Sequence, residues 1–150
     1  MIRSLDGKTP KIAASSFVSE AAYVVGDVEI NEEASIWPGV VIRGDFGRIT
    51  IGRNSIVEDN VVIHSGNPFS AIGDVVIGDG VVIGHGAALN GRKIGDHALI
   101  GMNATILHDT EIGDYCVIAA GCMLGQGQRV PDNALVAGVP GKIMGRTTEE

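Results

Sequence analysis

An apolar residue recurs at every sixth position over most of this chain, and that spacing leaves few folds open. Ile94, Ile100, Ile106, Ile112, Ile118, Leu124, Val130 and Val136 fall in unbroken register. Gly often follows the anchor, as at Gly95, Gly101, Gly113 and Gly125. Four positions after the anchor stands a small or apolar residue in most repeats: Ala98, Ala104, Thr110, Cys116, Cys122, Ala134. A helix repeats at 3.6 residues and a half-buried strand at 2, so neither produces a strict six. Hexapeptide repeats instead specify an all-β solenoid, a parallel β-helix in which each repeat forms one flat face of a triangular coil. The anchor and its small partner point inward and stack on their equivalents in the next coil. Gly, Asp and Asn serve the corners, where left-handed backbone is needed.

The same period runs upstream through Val18, Val24, Ile30, Ile36 and Ile42, then Ile51, Val57 and Ile63, then Ile77, Ile83 and Leu89. Three breaks interrupt it: nine residues from Ile42 to Ile51, fourteen from Ile63 to Ile77, and five from Leu89 to Ile94. The first two read as excursions from the coil, of three and eight extra residues. The longer contains Ser65-Gly66-Asn67-Pro68. Ile72-Gly73-Asp74 looks like one more anchor there, but Pro68 and the crowding of Ile72 against Ile77 favour a loop.

At 150 residues the chain is expected to form one β-helix domain, residues 1–150, with short caps at residues 1–15 and in the tail from Pro140. Aromatics make up 4% of the chain, so the core must be stacked Ile and Val. The net charge is -7, which argues against a nucleic-acid partner. No apolar stretch approaches the ~20 residues of a membrane-spanning helix. Met1-Ile2-Arg3-Ser4-Leu5-Asp6 has no apolar signal region, so a cytoplasmic location is expected. Cys116 and Cys122 occupy inward positions of consecutive repeats and read as small core residues.

Three six-residue faces give a coil of eighteen residues. With the longer break read as an excursion, Ile63 and Leu89 share a face one coil apart. His64 and Asn90 each follow an anchor, so both point outward and stack at the ~4.8 Å spacing of adjacent strands, close enough to share a metal ion. His85 follows Ile83 by two positions and falls on the corner leading into that face. A neighbouring chain, more easily than its own, brings it to the same ion.

Trp37-Pro38-Gly39-Val40-Val41-Ile42-Arg43-Gly44-Asp45, Val61-Val62-Ile63-His64 and Ile83-Gly84-His85-Gly86-Ala87-Ala88-Leu89-Asn90-Gly91 follow one another in an order and spacing that resemble the gamma-class carbonic anhydrase-like proteins. Ala137-Gly138-Val139-Pro140-Gly141-Lys142 is similar to that family's exit from the coil, which hexapeptide acyltransferases share. The resemblance covers roughly residues 10 to 145. It implies a left-handed parallel β-helix, a homotrimer with sites between chains, and a zinc or iron ion held by three His. The ion acidifies a bound water that attacks carbon dioxide, giving bicarbonate. Carried onto this chain, the metal ligands are His64, His85 and Asn90, and the candidate catalytic residues are Arg43, Asp45, Glu58 and Asp59.

The chain departs from the family at Asn90, where the third His is expected, and a carboxamide oxygen is a poorer zinc ligand than imidazole. A Gln-Asp pair becomes Glu58-Asp59, an Asn becomes Ile56, and the position after Arg-Gly-Asp is Phe46. The sequence ends soon after Arg146, so the C-terminal helix of many members is missing or a stub. Each residue also has a plainer role. His64 could be a solvated surface residue, His85 a corner residue packing between chains, and Arg43 with Asp45 an ion pair. His97 and His108 read as turn residues. Three functions follow: a metal-dependent hydratase of carbon dioxide or a weakened form of it; a non-catalytic metal-binding or scaffold trimer; and an acyl-CoA-dependent acyltransferase on the same fold.

Overall fold

The computed structural model describes residues 1–66, 69 and 73–148. All its regular elements are strands, most of two or three residues, wound into a left-handed parallel β-helix of about 7 turns. Two-residue strands such as Leu99–Ile100 and Met123–Leu124 each bury the second residue and leave the first less buried. The buried member is the six-residue anchor: Ile94, Ile100, Ile106, Ile112, Ile118 and Leu124 are each at most 1% exposed. Fully burying such a side chain contributes about 1.5–3 kcal/mol, so the column of anchors is the main source of stability.

The strand register accounts for each break in the period. Ile42 pairs with Ile63, Ile51 with Ile77, Ile63 with Leu89, and Leu89 with Ile106. The three-residue excursion lies within the long strand Val41–Ile51, which bends across two faces of the coil. The eight-residue excursion separates Val62–His64 from Val75–Ile77. The possible anchor at Ile72 lies outside the described residues.

The corners use left-handed backbone at Gly39, Gly80, Gly86 and Gly121, and also at Asn54, Asn60, Asn103 and Asn133. His97 and Tyr115 adopt it as well, without the small or amide side chains expected there. Their rings stack with centroids 5.0 Å apart, so each supports the other at the same corner of successive coils. In the same turns, Asp79, Asp96 and Asp114 each donate the main-chain N–H to the carboxylate of the Asp one coil further on, at 2.8–2.9 Å.

The three faces differ on the outside. One presents Phe17, Ser35, Ile56, Val82, Leu99, Val117 and Leu135 in register. A second presents Tyr23, Val41, Val62, Ala88, Thr105 and Met123. The third is largely charged, with Lys93, Glu111 and Arg129 in register and Glu111 paired to both Arg92 and Arg129.

At the start, Ile2–Arg3 pairs with Val24–Val25 and Lys11–Ile12 with Glu29–Ile30, so the amino-terminal segment already lies in the helix. At the other end the tail is not a helical stub. Lys142–Arg146 folds back antiparallel on Ala134–Ala137 and covers the edge of the last coil. Pairing an open edge in this way removes a template for aggregation.

Candidate metal and catalytic site

Val41–Ile51 and Val62–His64 lie side by side, with Arg43 opposite His64. Arg43, Asp45 and His64 all point outward on this face, and Asn90 follows in the next coil. The His64 Nε2 lies 2.7 Å from Asp45 Oδ1. The Asp45 Oδ2 lies 3.4 Å from Arg43 Nε. Asn90 Nδ2 lies 3.3 Å from His64 Nδ1 and donates to the His64 main-chain carbonyl at 3.2 Å. One tautomer satisfies all of this: Nε2–H donates to Asp45, and Nδ1 accepts from Asn90. The Arg43 guanidinium stands 3.0 Å from the same Nε2. Phe46 packs over the ring with centroids 5.9 Å apart. His64 and Asp45 are about four-fifths buried, at 19% and 20% exposure, whereas Arg43 is half exposed.

His85 stands in a second cluster. It lies on the turn between Val82–Ile83 and Ala88–Leu89. Its Nε2 is 3.2 Å from Glu58 Oε2 and its Nδ1 is 3.1 Å from Asp59 Oδ2. Glu58 also accepts the His85 main-chain N–H at 3.1 Å, so the carboxylate fixes both the turn and the ring. Beside it, Trp37, Ile56, Ser35 and the two carboxylates line a cavity of about 360 Å³, with Trp37 packed tilted on Phe17. A shallow apolar groove of about 450 Å³ runs from His85 along Leu99, Met102, Ala119 and Ala120.

The chain thus brings His64 and Asn90 together with Arg43 and Asp45, and separately brings His85 together with Glu58 and Asp59. His97 and His108 sit on turns away from both clusters. Among the described residues, no three His, Cys, Asp or Glu side chains of one chain converge to hold a metal ion. The donors at His64 nevertheless suit a divalent cation in part: one imidazole and two oxygen-bearing side chains stand together, and a second imidazole has to come from elsewhere.

Two features of the clusters were not visible in the sequence. The contact of Asp45 with His64 spans 19 residues and depends on where the three-residue excursion falls. The clamp on His85 depends on the offset of 27 between Glu58 and His85, which the eight-residue loop sets.

The family model for bacterial transferase hexapeptide (six repeats) matches residues 93–126. A carbonic anhydrase of Geobacillus kaustophilus is 40% identical over 150 residues, covering 100% of this chain and 80% of that protein. The mitochondrial gamma carbonic anhydrase 2 of Arabidopsis thaliana is 35% identical over 145 residues, 95% of this chain. The chain spans 52% of that plant protein, about half its length. A crystal structure of a hexapeptide transferase family protein from Anaplasma phagocytophilum superposes with a TM-score of 0.91 at 34% identity, covering 99% of this chain and 85% of that one. The chain therefore belongs to the gamma carbonic anhydrase-like family of hexapeptide-repeat proteins.

Proposed function

We propose that this chain is a metal-dependent hydratase of carbon dioxide, acting as a homotrimer with its sites between chains. The observation that carries the reading is the division of the two histidines between two built clusters. His64 is set in one face with Asp45 and Asn90, and His85 is held on a corner by Glu58 and Asp59. Both nitrogens of each ring are engaged, so one contact at each would open for an ion, and the contact kept at the other nitrogen would then orient the ring. A second copy that brings its corner to this face supplies the missing imidazole.

The outer surfaces support such a ring. Two faces are largely apolar and the third is charged. A closed head-to-tail assembly buries two different surfaces on every chain and leaves the rest to solvent.

Bound at His64, a zinc or iron ion would supply the acidity that makes water a nucleophile near neutral pH. The chain's own residues do the rest. Glu58 and Asp59 hold the His85 ring, Phe46 keeps bulk water from one side of His64, and Arg43 offers donors where the anionic bicarbonate forms.

Sedimentation should give three times 15.5 kDa, and the zinc- or iron-loaded protein should hydrate carbon dioxide in a stopped-flow pH-indicator assay. His64→Ala should abolish that activity. A metal-loaded trimer with no activity would leave the scaffold reading, which Asn90 favours.

Acyl transfer is the other reading, favoured by the groove beside His85. It fits a narrow apolar arm next to a His oriented by Glu58. Calorimetry with coenzyme A decides it: saturable micromolar binding supports transfer, and no heat removes it.

A further inference from the structure

We propose that Asp45 is a metal ligand and takes over the place that Asn90 does not fill, so that the ion is held by His64, Asp45 and the His85 of a second copy. The inference rests on the metal-dependent reading of the His64 cluster given above.

The argument starts from the two edges of the His64 ring. Asn90 stands at the Nδ1 edge, and in the metal-free chain its NH2 group is turned to the ring. A main-chain carbonyl can only accept, so the amide group that faces the His64 carbonyl at 3.2 Å must be the NH2. An amide nitrogen does not coordinate a divalent cation. The Nε2 edge carries the better donor. The Asp45 carboxylate oxygen lies 2.7 Å from Nε2, close to the roughly 3 Å that separates two ligands bonded to one ion at ~2.0–2.2 Å each.

The rest of the cluster prepares this carboxylate for the role. Arg43 Nε pairs with Oδ2 at 3.4 Å and the Phe46 main-chain N–H donates to Oδ1 at 3.0 Å, so the carboxylate is oriented, while the Arg43 terminal nitrogen 3.0 Å from Nε2 would have to swing aside for a cation bound there. In the chain as it stands, the Nε2 proton occupies the space between ring and carboxylate. A cation that replaces it obliges the neutral imidazole to carry its proton on Nδ1. The Asn90 carboxamide can then accept a hydrogen bond from Nδ1–H by a half-turn that gives up its bond to the His64 carbonyl. Asn90 is on this account a residue that orients the ring.

Two imidazoles and one carboxylate are the donor set that favours a ferrous ion with open positions, though zinc also accepts it. The carboxylate brings one negative charge that a third imidazole would not. The site should hold its cation firmly and polarise it less than a three-imidazole site does.

The test is titration of the full chain with zinc, by calorimetry against a competing chelator, together with the visible absorption of the cobalt form. Asp45→Asn should weaken zinc binding at least 10-fold and change the cobalt bands, while Asn90→Ala, which removes a ring-orienting contact and no ligand, should cost less than Asp45→Asn and leave the cobalt bands in place. In an Asn90→His background, where a further imidazole is available, Asp45→Asn should cost less than 3-fold. Melting curves of the metal-free variants establish that each is folded.

Equal affinity for wild type and Asp45→Asn would overturn the inference and leave the metal reading intact. Equal loss in both backgrounds would also overturn it, because Asp45 would then be positioning His64 without touching the ion. If wild type and His64→Ala bind zinc and cobalt no better than each other, the metal reading itself fails and this inference with it.

Discussion

Ile63 and Leu89 lie directly opposite each other in adjacent coils although 26 residues separate them, and this one pairing sets His64 over Asn90. The eight-residue excursion makes the offset 26 in place of the regular 18. A shift of one residue in that register would turn the His64 ring inward, because successive side chains of a strand face opposite ways.

Asn90→His should restore a three-imidazole site and tighten zinc binding at least 10-fold, since changes at orienting residues alone are worth about 10- to 100-fold. Competition titration with a chromogenic chelator measures this. Equal affinities would mean that residue 90 does not reach the ion held at His64.

Ile112 is 1% exposed and stacks between Ile94 and Val130. Ile112→Asp buries an unpaired charge among these side chains and should cost several kcal/mol, enough to prevent soluble folding. Ile112→Val, which leaves a cavity the size of one methylene, should cost about 0.5–1.5 kcal/mol. Solubility and urea unfolding read both effects.

Leu99 is 42% exposed at the centre of an apolar outer face. Leu99→Lys should leave the coil intact and dissociate the assembly to 15.5 kDa chains, which sedimentation velocity separates from trimers. An unchanged sedimentation coefficient would mean that this face lies outside the interface.

Two glycines should respond in opposite degree. A Cβ at Gly95 would sit 2.6 Å from the Asp114 main-chain nitrogen in the next coil, so Gly95→Val should force neighbouring coils apart and lower the melting temperature sharply. Gly121 has open space around it, and its φ of +68° is the only obstacle, so Gly121→Ala should cost about 1–2 kcal/mol. Calorimetric melting of the two variants compares packing with backbone strain.

The coil was legible in the sequence because each face buries one residue at a fixed interval, and Ile94 through Val136 keep that interval without a gap. The stacking of His64 on Asn90 was legible for the same reason once the longer break was read as an excursion. The partners of the two histidines were not. Asp45 reaches His64, and Glu58 reaches His85, through outward side chains, and outward positions carry no periodic constraint. The return strand Lys142–Arg146 was hidden as well. Its burial pattern is almost wholly exposed, so no alternation marks it, and it exists only because Ala134–Ala137 offers an open edge.

Because each coil of the solenoid contacts only the coils above and below it, opening begins at the ends of the stack and works inward. The coils that carry Asp45, His64, His85 and Asn90 are in the middle. Their amides should be among the last to exchange with deuterated water, so the terminal turns act as sacrificial layers that fray while the chemistry between them keeps its geometry.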